Sequence, residues 1–391
     1  MSASEKDILN DHLTIYQNGL LNETMPFWFP RSVDETYGGF VNSLGRDGTI
    51  LQTNKYVWFQ GRSLWTLCNL YNSVEKNESW LDYAKKGADF IDKYCFDENQ
   101  RAFFYVTQDG RPLQKTENIF SDIYLILGKS AYAAACGDAS AAEQTLTFFQ
   151  KILQIVQKTV YTATEVSPRT LAVPMILIGA AQELRKTCPA PWLTAVIDDA
   201  LDEIRRYLMN EEHSCVLEMA GPNGELIDSF NGRSVCTGHS FETAWFILEE
   251  ARLRNNDSKL IRLGTTILDW TLNAAWDNQY GGLVQLRDCK NLPCSDYSHN
   301  MKLWWTHNEA IIATLLAWLL TSEPLYWRWY TQIHQWAYAH FHDTVFGEWF
   351  GYLHRDGAVS TDLKGNIWKG PFHLPRMQCY CWQRIRDELD K

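Results

Sequence analysis

The sequence predicts an all-α protein in which six helix pairs close into a ring, an (α/α)6 barrel with short β-hairpins at one rim. Three observations predict it. About twelve segments repeat apolar residues at three- and four-residue spacing, the period of a helix with a buried face. Between them, Asp47-Gly48, Asp109-Gly110, Asn223-Gly224 and Asp356-Gly357 follow strand-like runs and carry hairpin-turn dipeptides. Those turns lie 62, 114 and 133 residues apart, near one, two and two periods of a single repeating unit.

Taken in order, the helical segments span 4–25, 55–75, 78–95, 118–136, 139–159, 170–186, 190–209, 238–254, 257–275, 302–321, 324–342 and 372–389. One hidden unit is visible at Asp277 to Leu283, which echoes Asp34 to Phe40 and lies 66 residues before Asp343. The other falls near Tyr161 to Arg169, where no hairpin is legible. Hairpins precede the segments starting near 55, 118, 238, 302 and 372, and the illegible loop precedes the one starting near 170. Those six are the less charged helices, as in Leu171 to Ala181 and Ile311 to Leu320. They are assigned to an inner ring, with the other six wrapped outside it. An open solenoid needs polar caps at both ends, and neither terminal helix supplies one. The whole chain, 1–391, then forms one domain with a single central cleft at the hairpin rim, faced by the first two turns of each inner helix.

Composition bounds the function. With 46% hydrophobic, 21% charged and 14% aromatic residues, the chain suits a large core and an aromatic-lined cleft. A net charge of −11 without any Lys/Arg run excludes nucleic acid and anionic membrane surfaces as partners, and points to a small-molecule ligand. No stretch approaches the roughly 20 apolar residues of a membrane span. Met1 to Asn10 is polar and lacks the features of a secretory signal. The ten cysteines are scattered without metal-ligand spacing and are read as reduced core thiols of a cytoplasmic protein.

The stretch Gly238 to Trp245 puts His239, Glu242 and Trp245 on one face of a helix that is apolar nearly all round. The other inner-helix starts add Arg62; Asn118, Ser121 and Asp122; Arg169 and Met175; Lys302, Trp304, Trp305, His307 and Glu309; and His373 with Arg376. His307 divides between the cleft and a satisfied neighbour of Glu309. His12, His213, His299, His334, His340, His342 and His354 fall on outer helices or loops and are read mostly as solvated. The cleft set lacks the His-Glu-x-x-His spacing of a zinc site, and no Gly-rich phosphate loop or nucleophile elbow occurs. Two histidines across a cleft suit removal of a proton from one face of a carbon and its return to the other, because imidazole titrates near neutrality. Arg62 is placed to hold a developing oxyanion, while tryptophans pack on the apolar face of a sugar.

These residues sit in the patterns Lys55-Tyr56-Val57-Trp58-Phe59-Gln60-Gly61-Arg62, Asn118-Ile119-Phe120-Ser121-Asp122, Leu171-Ala172-Val173-Pro174-Met175, Gly238-His239, Lys302-Leu303-Trp304-Trp305 and Lys369-Gly370-Pro371-Phe372-His373-Leu374-Pro375-Arg376. Through them the chain resembles the N-acyl-D-glucosamine 2-epimerase family over essentially its whole length. The resemblance implies an (α/α)6 barrel, a homodimer, and interconversion of N-acetylglucosamine and N-acetylmannosamine at C2 of the opened sugar. It implies His239 and His373 as paired acid/base groups, Arg62 as the essential arginine, and Glu242 and Glu309 as supporting carboxylates. Asn118, Asp122, Met175, Trp245, Lys302, Trp304, Trp305 and Arg376 are the implied substrate-binding residues. No catalytic cofactor or metal is implied, and ATP enters as an allosteric activator, although Lys158 to Glu165 lacks the Gly-Lys loop of some members. Cellobiose 2-epimerases and mannose isomerases belong to the same family; Met175 and the Lys302 to His307 run are similar to the N-acylglucosamine branch. Outside the family, a glycoside hydrolase using Glu242 and Glu309 and a sugar-binding module are the competing readings.

Overall fold

In the computed structural model, which describes residues 2–158 and 168–391, the expected helices form with closely matching starts. They are α1 (Ala3–Asn18), α3 (Val57–Ser73), α4 (Glu78–Tyr94), α5 (Phe120–Cys136), α6 (Ala139–Val156), α7 (Ala172–Thr187), α8 (Pro191–Glu203), α9 (Thr237–Leu253), α10 (Ser258–Ala275), α11 (Trp304–Thr321), α12 (Pro324–Phe341) and α13 (His373–Leu389), with a short α2 (Met25–Trp28) after the first. Two stop earlier than their periodicity suggests: α1 and α8 pass into π-helical turns at Gly19–Thr24 and Ile204–Leu208.

The odd-numbered helices from α3 to α13 pack side by side in chain order, and α13 returns onto α3 to close the ring. Each outer helix lies on one inner helix: α4 on α3, α6 on α5, α8 on α7, α10 on α9, α12 on α11 and α1 on α13. Burial follows the layer, since α9 and α11 are buried nearly all round whereas α4 and α10 bury one stripe. The layers also end differently. Side chains of Ser2, Asn77, Asp138 and Asp257 cap the outer helices α1, α4, α6 and α10, whereas none of the inner helices has a side-chain cap at its N-cap residue among the described residues.

Short strands cover the rim from which the inner helices start. β1 (Ser43–Leu44) pairs with β2 (Ile50–Gln52), and β7 (Met209–Asn210) with β8 (Cys215–Val216). The strands that lead into inner helices, β3 (Lys55–Tyr56), β6 (Arg169–Thr170), β10 (Ser234–Cys236) and β12 (Lys302–Leu303), pair antiparallel with β4 (Phe103–Val106), β9 (Met219–Ala220), β11 (Leu286–Asp288) and β13 (Tyr352–Leu353). β5 (Pro112–Lys115) and β14 (Val359–Thr361) complete two three-stranded sheets. Each of these four lead-in strands is thus tied to the loop of the following unit, a pairing that no local sequence signal carries. The turn glycines Gly48, Gly110, Gly224 and Gly357 all adopt φ between +88° and +92°. The illegible loop lies largely at 159–167, outside the described residues, apart from Arg169, which opens β6.

The echo between Asp34 to Phe40 and Asp277 to Leu283 has a physical basis. In each, an aspartate followed by a double-glycine turn accepts from a buried lysine: Lys55 Nζ lies 2.8 Å from Asp34 and 2.8 Å from Gly38 O, and Lys302 Nζ lies 3.1 Å from Asp277. Lys364 does the same for Asp343 at 3.1 Å and Gly347 O at 2.9 Å. Lys302 is fully buried in this role. The expectation that it reaches a ligand is corrected: its ammonium is consumed by a turn.

Two other readings change. His12 on α1 and His334 on α12 are not solvated; their rings stack at 3.7 Å, and burial pushes the His12 pKa down to about 4 and that of His334 well below the ordinary histidine value. Six of the ten cysteines are buried, Cys136 is exposed, and none is in a disulfide. Among the described residues no helix is long and apolar enough to cross a membrane.

Within the inner ring, α3 and α5 pack backbone against backbone. A Cβ on Gly61 would lie 2.3 Å from the backbone of Tyr124, and one on Gly128 would lie 2.6 Å from Gly61 O. Gly61→Ala is therefore expected to push the two helices apart at a cost of about 1–3 kcal/mol, measured as a lower urea midpoint, and to displace the neighbouring Arg62.

Candidate active site

A cavity of about 670 Å³ opens at the hairpin rim, within the size range of small-molecule pockets. Every inner helix or its lead-in supplies a wall: Arg62 from α3, Asn118 ahead of α5, Met175 from α7, His239 and Glu242 from α9, Trp304 and Trp305 from α11, and His373 from α13. These eight and Ser121, all singled out from the sequence, thus meet in one space. Trp305 touches both imidazoles, with ring centroids 5.4 Å from His239 and 5.6 Å from His373.

The two histidines are held by different carboxylates. His373 Nδ1 lies 2.7 Å from Glu309 Oε1. A carboxylate only accepts, so Nδ1 carries the hydrogen and Nε2 keeps its lone pair. Burial, with the guanidiniums of Arg62 and Arg376 nearby, holds the His373 pKa well below the ordinary value. This ring rests neutral. His239 Nδ1 sits 3.0 Å from both oxygens of Glu218. Burial opposes its charge, but Cys236 and Glu218 outweigh that and hold the His239 pKa well above the ordinary value. This ring rests protonated. The site therefore offers one proton acceptor and one proton donor at neutral pH.

Below them lies a buried charge network. Glu309 is fully buried and accepts from Trp245 Nε1 at 2.6 Å as well as holding His373. Arg376 Nη2 reaches Glu309 at 2.7 Å and Glu242 at 2.5 Å. Trp245, Glu309 and Arg376 consequently support the cleft floor without lining it, which corrects the ligand contacts expected of Trp245 and Arg376. Asp122 is another correction: it is fully buried, pairs with Arg101 at 2.9 Å and accepts from Ala102 N. Arg169 pairs with Glu203 at 2.6 Å. His307 lies outside the cleft and away from Glu309; its Nδ1 donates to Leu303 O, its Nε2 accepts from Leu283 N, and burial pushes its pKa down to about 3.

Half-buried Arg62 differs from Arg376 in having no carboxylate partner. Its guanidinium lies 4.6, 4.1 and 4.7 Å from the rings of Trp58, Tyr124 and Phe372 and donates to Tyr124 Oη at 2.6 Å. Its Nε has no partner, and among the described residues no carboxylate lies within ion-pair distance of it. A cation stacked on aromatic faces at a cavity wall is placed for an anionic or developing oxyanionic group. The sequence reading missed Tyr124, Cys236 and Glu218. Glu218 falls between β8 and β9, and nothing in its neighbours marks it as a partner of His239.

The family model described as N-acylglucosamine 2-epimerase (GlcNAc 2-epimerase) matches residues 38–373. The chain belongs to that family. A curated N-acylglucosamine 2-epimerase from Bos taurus is 30% identical over 383 residues, covering 95% of this chain and 90% of the relative. A cellobiose 2-epimerase from Dictyoglomus turgidum is 22% identical and covers 94% of this chain and 97% of the relative. Among solved structures, a cellobiose 2-epimerase from Spirochaeta thermophila superposes with a TM-score of 0.85 at 20% identity, covering 99% of this chain and 100% of that one, which supports the family's barrel fold here. Within this family member, Glu218→Gln should lower the His239 titration midpoint toward the ordinary histidine value in a proton NMR titration; an unchanged midpoint would remove Glu218 from its role.

Proposed function

We propose that the protein interconverts N-acetyl-D-glucosamine and N-acetyl-D-mannosamine by moving the proton at C2 of the opened sugar. The observation that carries this reading is the pair of imidazoles, each held through Nδ1 by its own carboxylate, in one cavity beside an arginine without a carboxylate partner. His373 Nε2 removes the C2 proton on one face, and His239 Nε2–H returns a proton on the other. The two rings exchange roles for the opposite epimer. Arg62 stabilises the enediolate oxygen that forms between these steps. Glu309 and Glu218 fix the rings through Nδ1, Glu242 and Arg376 balance the floor, and Trp304, Trp305 and Met175 pack on the sugar and its acyl group, with Asn118 at the rim. The greater identity to the curated N-acylglucosamine 2-epimerase than to the cellobiose 2-epimerase supports the amino sugar as substrate. No catalytic cofactor enters this scheme. ATP as an allosteric activator, a homodimeric assembly and a cytoplasmic location belong to the same proposal and rest on the family resemblance.

Proton NMR of the protein with N-acetylglucosamine in D2O, with and without ATP, is expected to show the second epimer together with deuterium at C2. Absence of both, with exchange instead on cellobiose or mannose, would reassign the substrate. His239→Asn and His373→Asn should each lower the epimerisation rate about 10²–10⁴-fold. Arg62→Lys, which loses the planar fork and the ring stacking, should lower kcat about 10²–10³-fold.

The ionisation states give a further expectation. Activity requires one neutral and one protonated ring, so kcat/KM should be lost on the acid side as His373 takes up a proton and on the alkaline side as His239 loses one. Because those values are displaced in opposite directions, the profile should be flat through neutrality, with the same shape for both epimers. A sharp optimum at neutral pH would contradict it.

A further inference from the structure

Cys236 exchanges no proton with the sugar in the proposed scheme and acts there only as a neighbour of His239, yet it sits where its thiol has company. Cys236 Sγ, a His239 ring nitrogen and a Glu218 carboxylate oxygen all lie within 4.8 Å of one another, and Nδ1 is the nitrogen 3.0 Å from Glu218. They come from the end of β10, the first turn of α9 and the segment between β8 and β9, and Cys236 and His239 line the cleft. The side chains of His239 and Glu218 are 30% and 28% exposed, so the cluster is open to solvent from the cleft. A second triplet, Glu242, Glu309 and His373, is equally close. There Arg376 already bridges the two carboxylates, and a metal ion would meet its positive charge. Among the described residues no lysine or arginine lies within ion-pair distance of Glu218.

Thiolate, imidazole and carboxylate are the donors that zinc takes, and three protein ligands with one open position are the usual form of a solvent-accessible zinc site. We propose that Glu218, Cys236 and His239 form an inhibitory zinc site in the wall of the cleft. The inhibitory part rests on the proposed function, in which His239 shuttles a proton. Zinc would replace the thiol proton and the Nδ1 proton facing Glu218, releasing both to solvent. His239 would remain as a neutral ring with hydrogen on Nε2, no longer an imidazolium donor and without a lone pair to accept. Magnesium, a hard cation that keeps its waters and oxygen ligands, has no comparable claim on a thiolate. The donors were hidden in the sequence because Glu218 is distant from Cys236 and His239, and no metal spacing joins them.

The test separates binding from turnover. Chelator-treated protein is titrated with cobalt(II), and the near-ultraviolet charge-transfer absorbance of thiolate-bound cobalt is recorded for wild type, Cys236→Ser and Glu218→Gln. The site is supported if wild type gives the band, Cys236→Ser loses it and Glu218→Gln weakens cobalt binding. A wild-type protein without the band, or a Cys236→Ser variant that keeps it, overturns the site regardless of which sugar is turned over. In parallel, epimerisation is followed with zinc chloride, each variant being scaled to its own metal-free rate. Zinc should abolish wild-type turnover reversibly with EDTA, millimolar magnesium should not, and Cys236→Ser should raise the half-inhibiting zinc concentration about 100-fold, the upper end of what outer-shell ligand changes cost. Equal zinc sensitivity in wild type and Cys236→Ser overturns the inhibitory assignment.

Discussion

Two carboxylates buried side by side need a cation, and Arg376 is the cation under the cleft floor. It reaches Glu242 on α9 and Glu309 on α11 from its own place on α13, so one side chain joins three inner helices. Glu309 then orients His373 and receives the indole hydrogen of Trp245. Without Arg376 the pair would be desolvated like charges, a far costlier arrangement than the bridged one. The neutral state of His373 follows first from burial and from Arg62, and the guanidinium that steadies its carboxylate adds to both. His239, beyond that network and beside Glu218, takes the opposite ionisation. The opposite ionisations of the two rings thus derive from burial and two guanidiniums around His373 and from Cys236 and Glu218 around His239.

The rim is built by a different economy of charge. Lys55, Lys302 and Lys364 each turn inward to an aspartate at the start of a glycine-containing turn. With their ammonium groups also accepted by turn carbonyls, these lysines fix the backbone that carries the cleft walls. Strand pairing between one unit's lead-in and the next unit's hairpin adds a ring of short sheets. Precision at the site therefore rests on loops that are locked by buried pairs and paired strands, with the helices as the frame.

The helices were legible because their apolar period is long and strong, and the turns because Asp-Gly and Asn-Gly need a positive φ. The convergence of Arg62, His239 and His373 followed from placing each at the start of an inner helix. The same logic misplaced Lys302 and Asp122, which are also polar and near such starts, because position along a helix does not say which way a side chain is drawn. A buried partner, Asp277 or Arg101, decides that, and partners distant in sequence leave no local mark. Glu218 stayed hidden for the same reason. His12 and His334 failed in the opposite sense: outer helices have an inner face, and two of their imidazoles lie on it, stacked and uncharged.

The bare N-termini of the inner helices carry a consequence of their own. Each helix start carries the positive end of a helix dipole, about half a positive charge, and six such starts converge on one cavity without a side-chain hydrogen bond from their N-cap residues, the first amides of Phe120, Thr237 and Trp304 donating instead to Asn118 Oδ1, Gln285 O and Gly351 O. In a chain of net charge −11, this creates a local positive potential made by the backbone itself. A neutral group gains little from such a field, whereas a negative charge formed within it would gain much. The barrel's winding direction thereby acts as a preference for negative over neutral groups in the cleft, the kind of differential on which rate acceleration depends.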